Sequence, residues 1–304
     1  MKVREVLRNP NWNEYPVPRI SSRICGEWPI PMDNSAALII KPDEHAWWTT
    51  HRGASPIVGT AIHHGHNVRA DVLQEFSITD EERLREEDPF TGAMLRNLRN
   101  QIIVHRSRFE IDLNRPRDAA VYLRPEQAWG MSVWRNAPSN ELVDASLAVH
   151  DAYYAMLETY LRGLETQYGR FVVLDLHSYN HLREGPTADP THPDHAPEVN
   201  IGTFSMDRDR WSPVVDAFVA FARTSDFLGR RLDVRENIAF QGRGEQARFI
   251  HARFPNTGCA LAIEFKKFFM DEWTGLPDEE TVSALRTLIG ASVPVLEQAL
   301  REMS

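Results

Sequence analysis

The stretch Phe171-Val-Val-Leu-Asp-Leu-His-Ser-Tyr-Asn180 indicates which class of fold this chain adopts. Its first four residues, 171–174, are apolar and follow the turn signal Tyr168-Gly-Arg170. Such a run is typical of a strand that is buried on both faces of a sheet. Asp175 and His177 come next, and side chains two positions apart on a strand point to the same side. Because ligands bind at the carboxyl ends of strands in open α/β sheets, the pair is a candidate site. On its own, it is equally typical of a hydrogen-bonded structural histidine.

Strands and helices alternate along the chain, which predicts an α/β domain with a mostly parallel sheet. The predicted strands are 35–40, 54–62, 101–105, 171–174, 198–204, 232–240 and 258–265. The predicted helices are 79–87, 91–99, 141–167 and 245–253, with one opened by Pro213 and a last one opened by Pro277 and kinked at Pro294. We expect a single domain over residues 1–304, with an irregular, proline-rich arm at about 1–35.

The composition excludes several classes of protein. A net charge of −9 over 304 residues gives no electrostatic footprint for nucleic acid. No stretch approaches 18 apolar residues and the N-terminus has no secretory signal, so we expect no membrane partner. Two distant cysteines, Cys25 and Cys259, favour a reducing compartment, and we expect a cytoplasmic protein. Aromatic residues in the arm suit either core cover or a contact in a homo-oligomer.

A second strand, 54–62, runs directly into His63-His64-Gly65-His66. Alternation along an extended backbone means that His63 and His64 cannot face the same point. If the two strands are neighbours, His63 can meet His177 at the edge of the sheet. The alternative is a purely structural pair of histidines.

Three acidic residues, Glu86-Glu87-Asp88, stand just before Pro89, where a helix ends and a carboxylate can reach inward. Two histidine nitrogens, one carboxylate oxygen and one open position make a catalytic zinc site. Taken alone, the acidic cluster also fits a solvated helix end.

The segment Asn114-Arg115-Pro116 follows a strand-like stretch, and Arg108 precedes it by six residues. Arginine grips a carboxylate with two parallel hydrogen bonds, and asparagine adds a donor. The alternative is ordinary surface ion pairing with Glu110, Asp112 and Asp118.

Glu264 follows the apolar run 259–263 near the end of another buried strand. A carboxylate there is costly to leave without a partner, and it suits a general base that takes a proton from water. The alternative is a salt bridge to Lys266, which shares its face if the strand continues.

Taken in order, these motifs resemble the N-formylglutamate amidohydrolase (N-formylglutamate deformylase) family over about residues 55–275. The resemblance implies a phosphorylase/hydrolase-like three-layer α/β sandwich, related to the zinc carboxypeptidase-like hydrolases. One departure is Ile-His-His-Gly around His63, where the family commonly has Pro-His-Ser-Gly. The motifs are His63-x-Gly65, Arg85-Glu-Glu-Asp-Pro-Phe-Thr91, Ser107-Arg-Phe-x-x-Asp-Leu-Asn-Arg-Pro116, Val173-Leu-Asp-Leu-His-Ser178, Ala262-Ile-Glu-Phe-Lys266 and Met270-Asp-Glu272.

The resemblance implies that His63 and His177 ligate Zn²⁺, with the third ligand from the acidic cluster. Within that cluster we favour Glu87 over Glu86 and Asp88. A site of two histidines and a carboxylate also accepts other divalent metals.

The resemblance further implies that Asn114 and Arg115 hold the carboxylate of a small N-acyl amino acid. Arg108 then stabilises the oxyanion and Glu264 acts as general base. The implied reaction converts N-formyl-L-glutamate to formate and glutamate, in histidine degradation. The alternatives are a zinc hydrolase for another N-acyl amino acid or short peptide, and a carboxylate-binding relative without catalysis.

Overall fold

The computed structural model describes residues 46–303, which form one seven-stranded sheet with helices packed against it. The strands are β1 (Trp48–His51), β2 (Ile57–Ala61), β3 (Gln101–Val104), β4 (Phe171–Tyr179), β5 (Val199–Gly202), β6 (Val234–Glu236) and β7 (Gly258–Lys266). The helices are α1 (Ala70–Glu75), α2 (Asp80–Glu86), α3 (Thr91–Met94), α4 (Asn140–Tyr168), α5 (Ser212–Thr224), α6 (Glu245–Arg253) and α7 (Glu279–Glu302).

The strand order across the sheet is β1-β3-β2-β4-β7-β5-β6. The pairs β2–β3, β2–β4, β4–β7 and β5–β6 are parallel, whereas β1–β3 and β5–β7 are antiparallel. The sheet is therefore mixed and largely parallel, which confirms the predicted α/β class.

The central strand is β4, and all nine of its residues are buried. The strand continues through the polar residues that follow the apolar run 171–174, so it is longer than that run. It pairs with β2 on one side and with β7 on the other. The register places Asp175 beside Thr60 of β2, and His177 beside Glu264 of β7. The polar end of β4 is thereby aligned with chemistry-bearing residues of its neighbours.

The main hydrophobic core lies between the sheet and α4. Tyr153, Leu157 and Leu161 of α4 share a cluster of buried residues with Val58 of β2 and Val173 of β4. These α4 positions recur with the period of a helix, so one face of α4 is apolar. Outside this cluster, α7 packs against α5, α3 and β2.

Local signals in the sequence set the ends of several helices as predicted. Thr79 and Glu82 form the capping box that starts α2. Ser139 caps α4, and Gly169 ends it with a φ of 75° that favours glycine. The helix predicted at 245–253 is α6 with the same limits.

Other predicted elements are shorter in the structure. The helix predicted at 91–99 ends at Met94. The strand predicted at 232–240 is only Val234–Glu236, because the chain turns at Asn237, which has a φ of 58°. The last helix begins at Glu279, after Asp278 as its N-cap, and contains Pro294. The residues that follow β6 form a loop.

The arm predicted at 1–35 and the strand predicted at 35–40 lie outside the described residues. The single-domain organisation therefore stays a prediction. Among residues 46–303, no helix is long and apolar enough to cross a membrane.

Candidate metal centre and active site

A cavity of about 360 Å³ lies at the carboxyl ends of the central strands. His177 of β4 and Glu264 of β7 line it, together with His63, which follows β2. Its other charged or amide side chains include Glu86, Asp88, Arg108, Asn114, Asp175, Asn180, Arg183, Gln241, Arg243 and Lys267. Residues that are distant in sequence thus meet where an α/β sheet binds its ligands.

Two histidines and one aspartate converge in this cavity. Oδ2 of Asp88 lies 3.1 Å from Nδ1 of His177 and 3.3 Å from Nδ1 of His63. The centres of the two imidazole rings are 5.0 Å apart. All three side chains are buried, and each directs a ligand-type atom to the same point.

Backbone geometry brings Asp88 to this point. Helix α2 ends at Glu86, and the next residue has an extended conformation. The backbone N–H of Asp88 then donates to the carbonyl of His63 at 2.9 Å. The hydroxyl of Ser178 donates to Oδ1 of Asp88 at 3.1 Å, which leaves Oδ2 directed at the histidines.

Each histidine also faces a second carboxylate through its other ring nitrogen. Nε2 of His63 donates to Oδ1 of Asp112 at 2.7 Å, and Nε2 of His177 lies 3.2 Å from Oδ2 of Asp175. A proton on Nε2 leaves the lone pair of Nδ1 available to a metal. Carboxylates in this position orient metal-binding histidines and raise their basicity.

This donor set fits a divalent cation. The three ligand-type atoms lie within 4.8 Å of one another, and Nδ1 of His63 is buried with no hydrogen-bond partner among the described residues. Burial alone would raise the pKa of Asp88, but its close contacts with the imidazoles of His177 and His63 hold that pKa well below its usual range. Burial opposes a charge on His177, yet Asp175 and Glu264 raise its pKa well above the ordinary value. The surrounding carboxylates therefore favour positive charge here.

The structure corrects the choice of Glu87 within the acidic cluster. Successive residues of an extended segment point to opposite sides, so Glu87 turns away from the two histidines when Asp88 faces them. Its carboxylate instead contacts Nδ1 of His66 at 2.6 Å and accepts a hydrogen bond from Ser107. The whole cluster 86–88 is buried, so it is not a solvated helix end.

Glu264 faces the cavity from the end of β7, beside His177. Burial raises its pKa to about 7, with Asp88 and Asp175 acting in the same direction and His177 opposing them. The alternative salt bridge to Lys266 does not form, because that amine donates to the carbonyl of Ala196 at 3.2 Å. Glu264 is thus a carboxylate whose proton affinity suits proton transfer near neutral pH.

Arg108 lies on the cavity wall and is held in place by three groups. Its guanidinium donates to Oδ2 of Asp112 at 3.0 Å, to the hydroxyl of Tyr122 at 3.1 Å and to the carbonyl of Glu86 at 3.2 Å. It also lies over the ring of Trp129, 4.8 Å from the ring centre. Asp112 therefore joins Arg108 to His63 in one buried network.

Asn114 and Arg115 are adjacent in sequence but diverge in space. Asn114 lines the cavity, with its amide nitrogen 3.4 Å from Nε2 of His177. Arg115 is not among the lining residues; it donates to the carbonyl of Gln127 at 2.7 Å and lies 3.3 Å from Asp112. The ion pairing with Asp112 that the sequence offers as the alternative is thus present, although Asp112 itself is buried.

The family model for N-formylglutamate amidohydrolase matches residues 55–270, more than half of the chain. The chain belongs to the N-formylglutamate amidohydrolase family. This membership confirms the resemblance drawn from the ordered motifs and the prediction of a hydrolase that acts on amide C–N bonds. No curated protein sequence matches the chain.

Two solved structures share the fold of this family member. One is N-formylglutamate amidohydrolase from Ralstonia eutropha JMP134, with a TM-score of 0.67 and 16% identity over 84% of this chain and 98% of the other. The second is a gene product of Agrobacterium tumefaciens, with a TM-score of 0.54 and 16% identity over 82% of this chain and 96% of the other. At 16% identity, each of these two similarities is a similarity of fold alone.

Some site residues of this family member were not selected from the sequence. From the sequence, Asp112 is predicted only as a surface ion-pair partner, although it stands in the same motif as Arg108 and Asn114. The segment 239–244, which includes the end of the strand predicted at 232–240, also lines the cavity. Its Gly-Arg-Gly composition was the available signal, since glycines permit close approach of backbones.

Proposed function

We propose that this protein is a metal-dependent amidohydrolase that converts N-formyl-L-glutamate to formate and L-glutamate. One observation carries the proposal: a buried His63–Asp88–His177 donor set and the carboxylate of Glu264 line the same cavity. Family membership supports the substrate class. Zn²⁺ is the metal that we assign, because two histidines and one carboxylate make its usual catalytic donor set.

The ligands in this proposal are Nδ1 of His63, Nδ1 of His177 and a carboxylate oxygen of Asp88. When bound, a divalent cation supplies Lewis acidity and lowers the pKa of water. Asp112 and Asp175 hold the two imidazoles in the tautomer that frees Nδ1.

Glu264 accepts and then donates a proton in this mechanism. Its carboxylate takes a proton from water as the water oxygen bonds to the formyl carbon. When the C–N bond breaks, Glu264 returns the proton to the leaving amine nitrogen. Two further protein groups act on the substrate itself: Arg108 stabilises the charge that develops on the carbonyl oxygen, and Asn114 helps to hold a carboxylate of the substrate, which orients the amide.

The cellular setting is part of the proposal. Release of glutamate from its formyl derivative fits histidine degradation, in keeping with the resemblance. Cys259 is a buried free thiol, and two widely separated cysteines suit a reducing compartment such as the cytoplasm.

The test is a formate-release assay with a panel of substrates, run on protein of measured metal content. We expect about one metal ion per chain and the highest kcat/KM with N-formyl-L-glutamate, against N-acetyl-L-glutamate and N-formyl-L-methionine as controls. A bound metal with turnover of a different acyl amino acid would move the proposal to that substrate. Binding of N-formylglutamate without any turnover would favour a carboxylate-binding relative.

A further inference from the structure

We propose that Arg243 binds a carboxylate of the substrate, the role that the family resemblance implies for Arg115. The inference rests on the proposed function, because it names the residue that recognises the amino-acid part of an N-acyl amino acid. It follows from the partners of each cation at the cavity and from the loop that presents Arg243.

The other cations that line the cavity already have acceptors. Arg108 donates to Asp112, to Tyr122 and to a backbone carbonyl. Lys267 is buried and donates to the carbonyls of Arg85 and Glu87, at 2.5 and 2.8 Å. The guanidinium of Arg183, in turn, lies 3.7 Å from the carboxylate of Glu86.

Arg243 differs from these cations. Its side chain lines the cavity and is exposed, and its guanidinium stacks on the ring of Phe204 at 3.8 Å. Among residues 46–303 it has no carboxylate or carbonyl acceptor within hydrogen-bond distance. Stacking on Phe204 leaves the edge of the planar fork free, and that edge is the part that grips a carboxylate with two parallel hydrogen bonds.

The loop around Arg243 is fixed by close backbone contacts. Gly242 has a φ of 73° and lies so close to Gly202 that neither residue has room for a Cβ. Gly244 packs equally closely on the side chain of Asn114. The backbone N–H of Glu245 donates to the carbonyl of Asn114 at 2.9 Å. Arg243 is therefore held next to Asn114, for which the family resemblance also implies a contact with the substrate carboxylate.

Arg115 cannot bind the substrate carboxylate without breaking its present contacts. Its guanidinium is engaged with Asp112 and the carbonyl of Gln127, and it lies 4.6 Å from the ring centre of Tyr122. The pair that recognises the carboxylate is thus Asn114 and Arg243, brought together by the fold, rather than the consecutive Asn114 and Arg115.

The test compares R243A with wild type and with R248A in formate release. Arg248 is a matched control, since it is exposed, lies nearby on helix α6 and pairs with Glu245 at 3.5 Å. We expect R243A to raise KM for N-formylglutamate roughly ten- to hundredfold while kcat changes less, and R248A to change neither. R243K should recover only part of the loss, because lysine lacks the fork.

A second substrate and a binding measurement complete the test. With N-formylglutamine, a KM that also rises assigns Arg243 to the α-carboxylate, and an unchanged KM assigns it to the γ-carboxylate; both support the proposal. An R243A enzyme with wild-type KM for both substrates contradicts it. If wild type releases no formate, the proposed function fails, and calorimetry with N-formylglutamate still decides about Arg243. Weaker binding by R243A than by R248A supports the role, and equal binding, or no binding by wild type, overturns it.

Discussion

Nδ1 of His177 lies 3.1 Å from Oδ2 of Asp88, although 89 positions separate the two residues in the sequence. Strand β4 supplies the histidine, and the end of helix α2 leads to the aspartate. His63 approaches the same oxygen of Asp88. The carboxylate of Asp88 is therefore the centre of a buried donor set and not part of a solvated helix end.

Exchange of the acidic residues tests which of them holds the metal. We expect D88N to lose most of the bound metal after dialysis, because it removes the charged oxygen that faces both histidines. E87Q should keep its metal, because Glu87 contacts His66 and Ser107 instead. Metal analysis of the two purified variants checks this. Retention by D88N together with loss by E87Q would restore the choice made from the sequence.

The carboxylate behind His63 should tune metal affinity without binding the metal. D112N keeps the shape of the side chain but weakens the hydrogen bond that orients His63. We expect about a ten- to hundredfold loss of metal affinity, measured by competition with a chelator. D118N serves as control, since Asp118 is exposed and close in sequence. Equal affinities of the two variants would argue against a role for Asp112.

The proton-transfer role of Glu264 predicts a variant that binds but does not turn over. E264Q keeps the size of the side chain and removes its basicity. We expect kcat for formate release to fall about 10²- to 10⁴-fold, while the metal content stays at the wild-type level. An E264Q enzyme with full kcat would show that another group accepts the proton.

Packing of α4 on the sheet should dominate the stability of the described part of the chain. Leu161 is fully buried in the core cluster, so L161A should lower the free energy of unfolding by about 2–5 kcal/mol. L73A is the control, since Leu73 is 45% exposed and its loss should change stability by less than about 0.5 kcal/mol. Urea denaturation measures both, and similar midpoints would contradict the assignment of the core.

The fold was predictable where local chemistry and burial agree. The apolar run 171–174 and the capping signals at Thr79 and Ser139 each act within a few residues, and the structure follows them. The strand predicted at 232–240 was too long because apolar residues such as Ile238 and Phe240 read as strand, whereas both are exposed in a loop.

The sequence predicts which residue types form the site, but not the direction in which each side chain points. His63, His177 and Glu264 stand at strand ends, so parallel pairing alone brings them together. The choice between Glu87 and Asp88 depends on the backbone direction where α2 ends, which no residue type specifies.

The proposed contribution of Arg243 could not be predicted from the sequence either. It depends on a loop that is 129 positions from Asn114 in the sequence and is joined to it only by the fold. Sequence neighbours such as Asn114 and Arg115 can diverge in space, because the chain turns at residues 113–115.

The most direct test of the central claim is formate release from N-formyl-L-glutamate before and after removal of the metal. We expect the purified protein to release formate, to lose that activity when a chelator removes the metal, and to regain it when Zn²⁺ is restored. Undiminished formate release by the metal-free protein would contradict the assignment of His63, Asp88 and His177 as a catalytic metal centre.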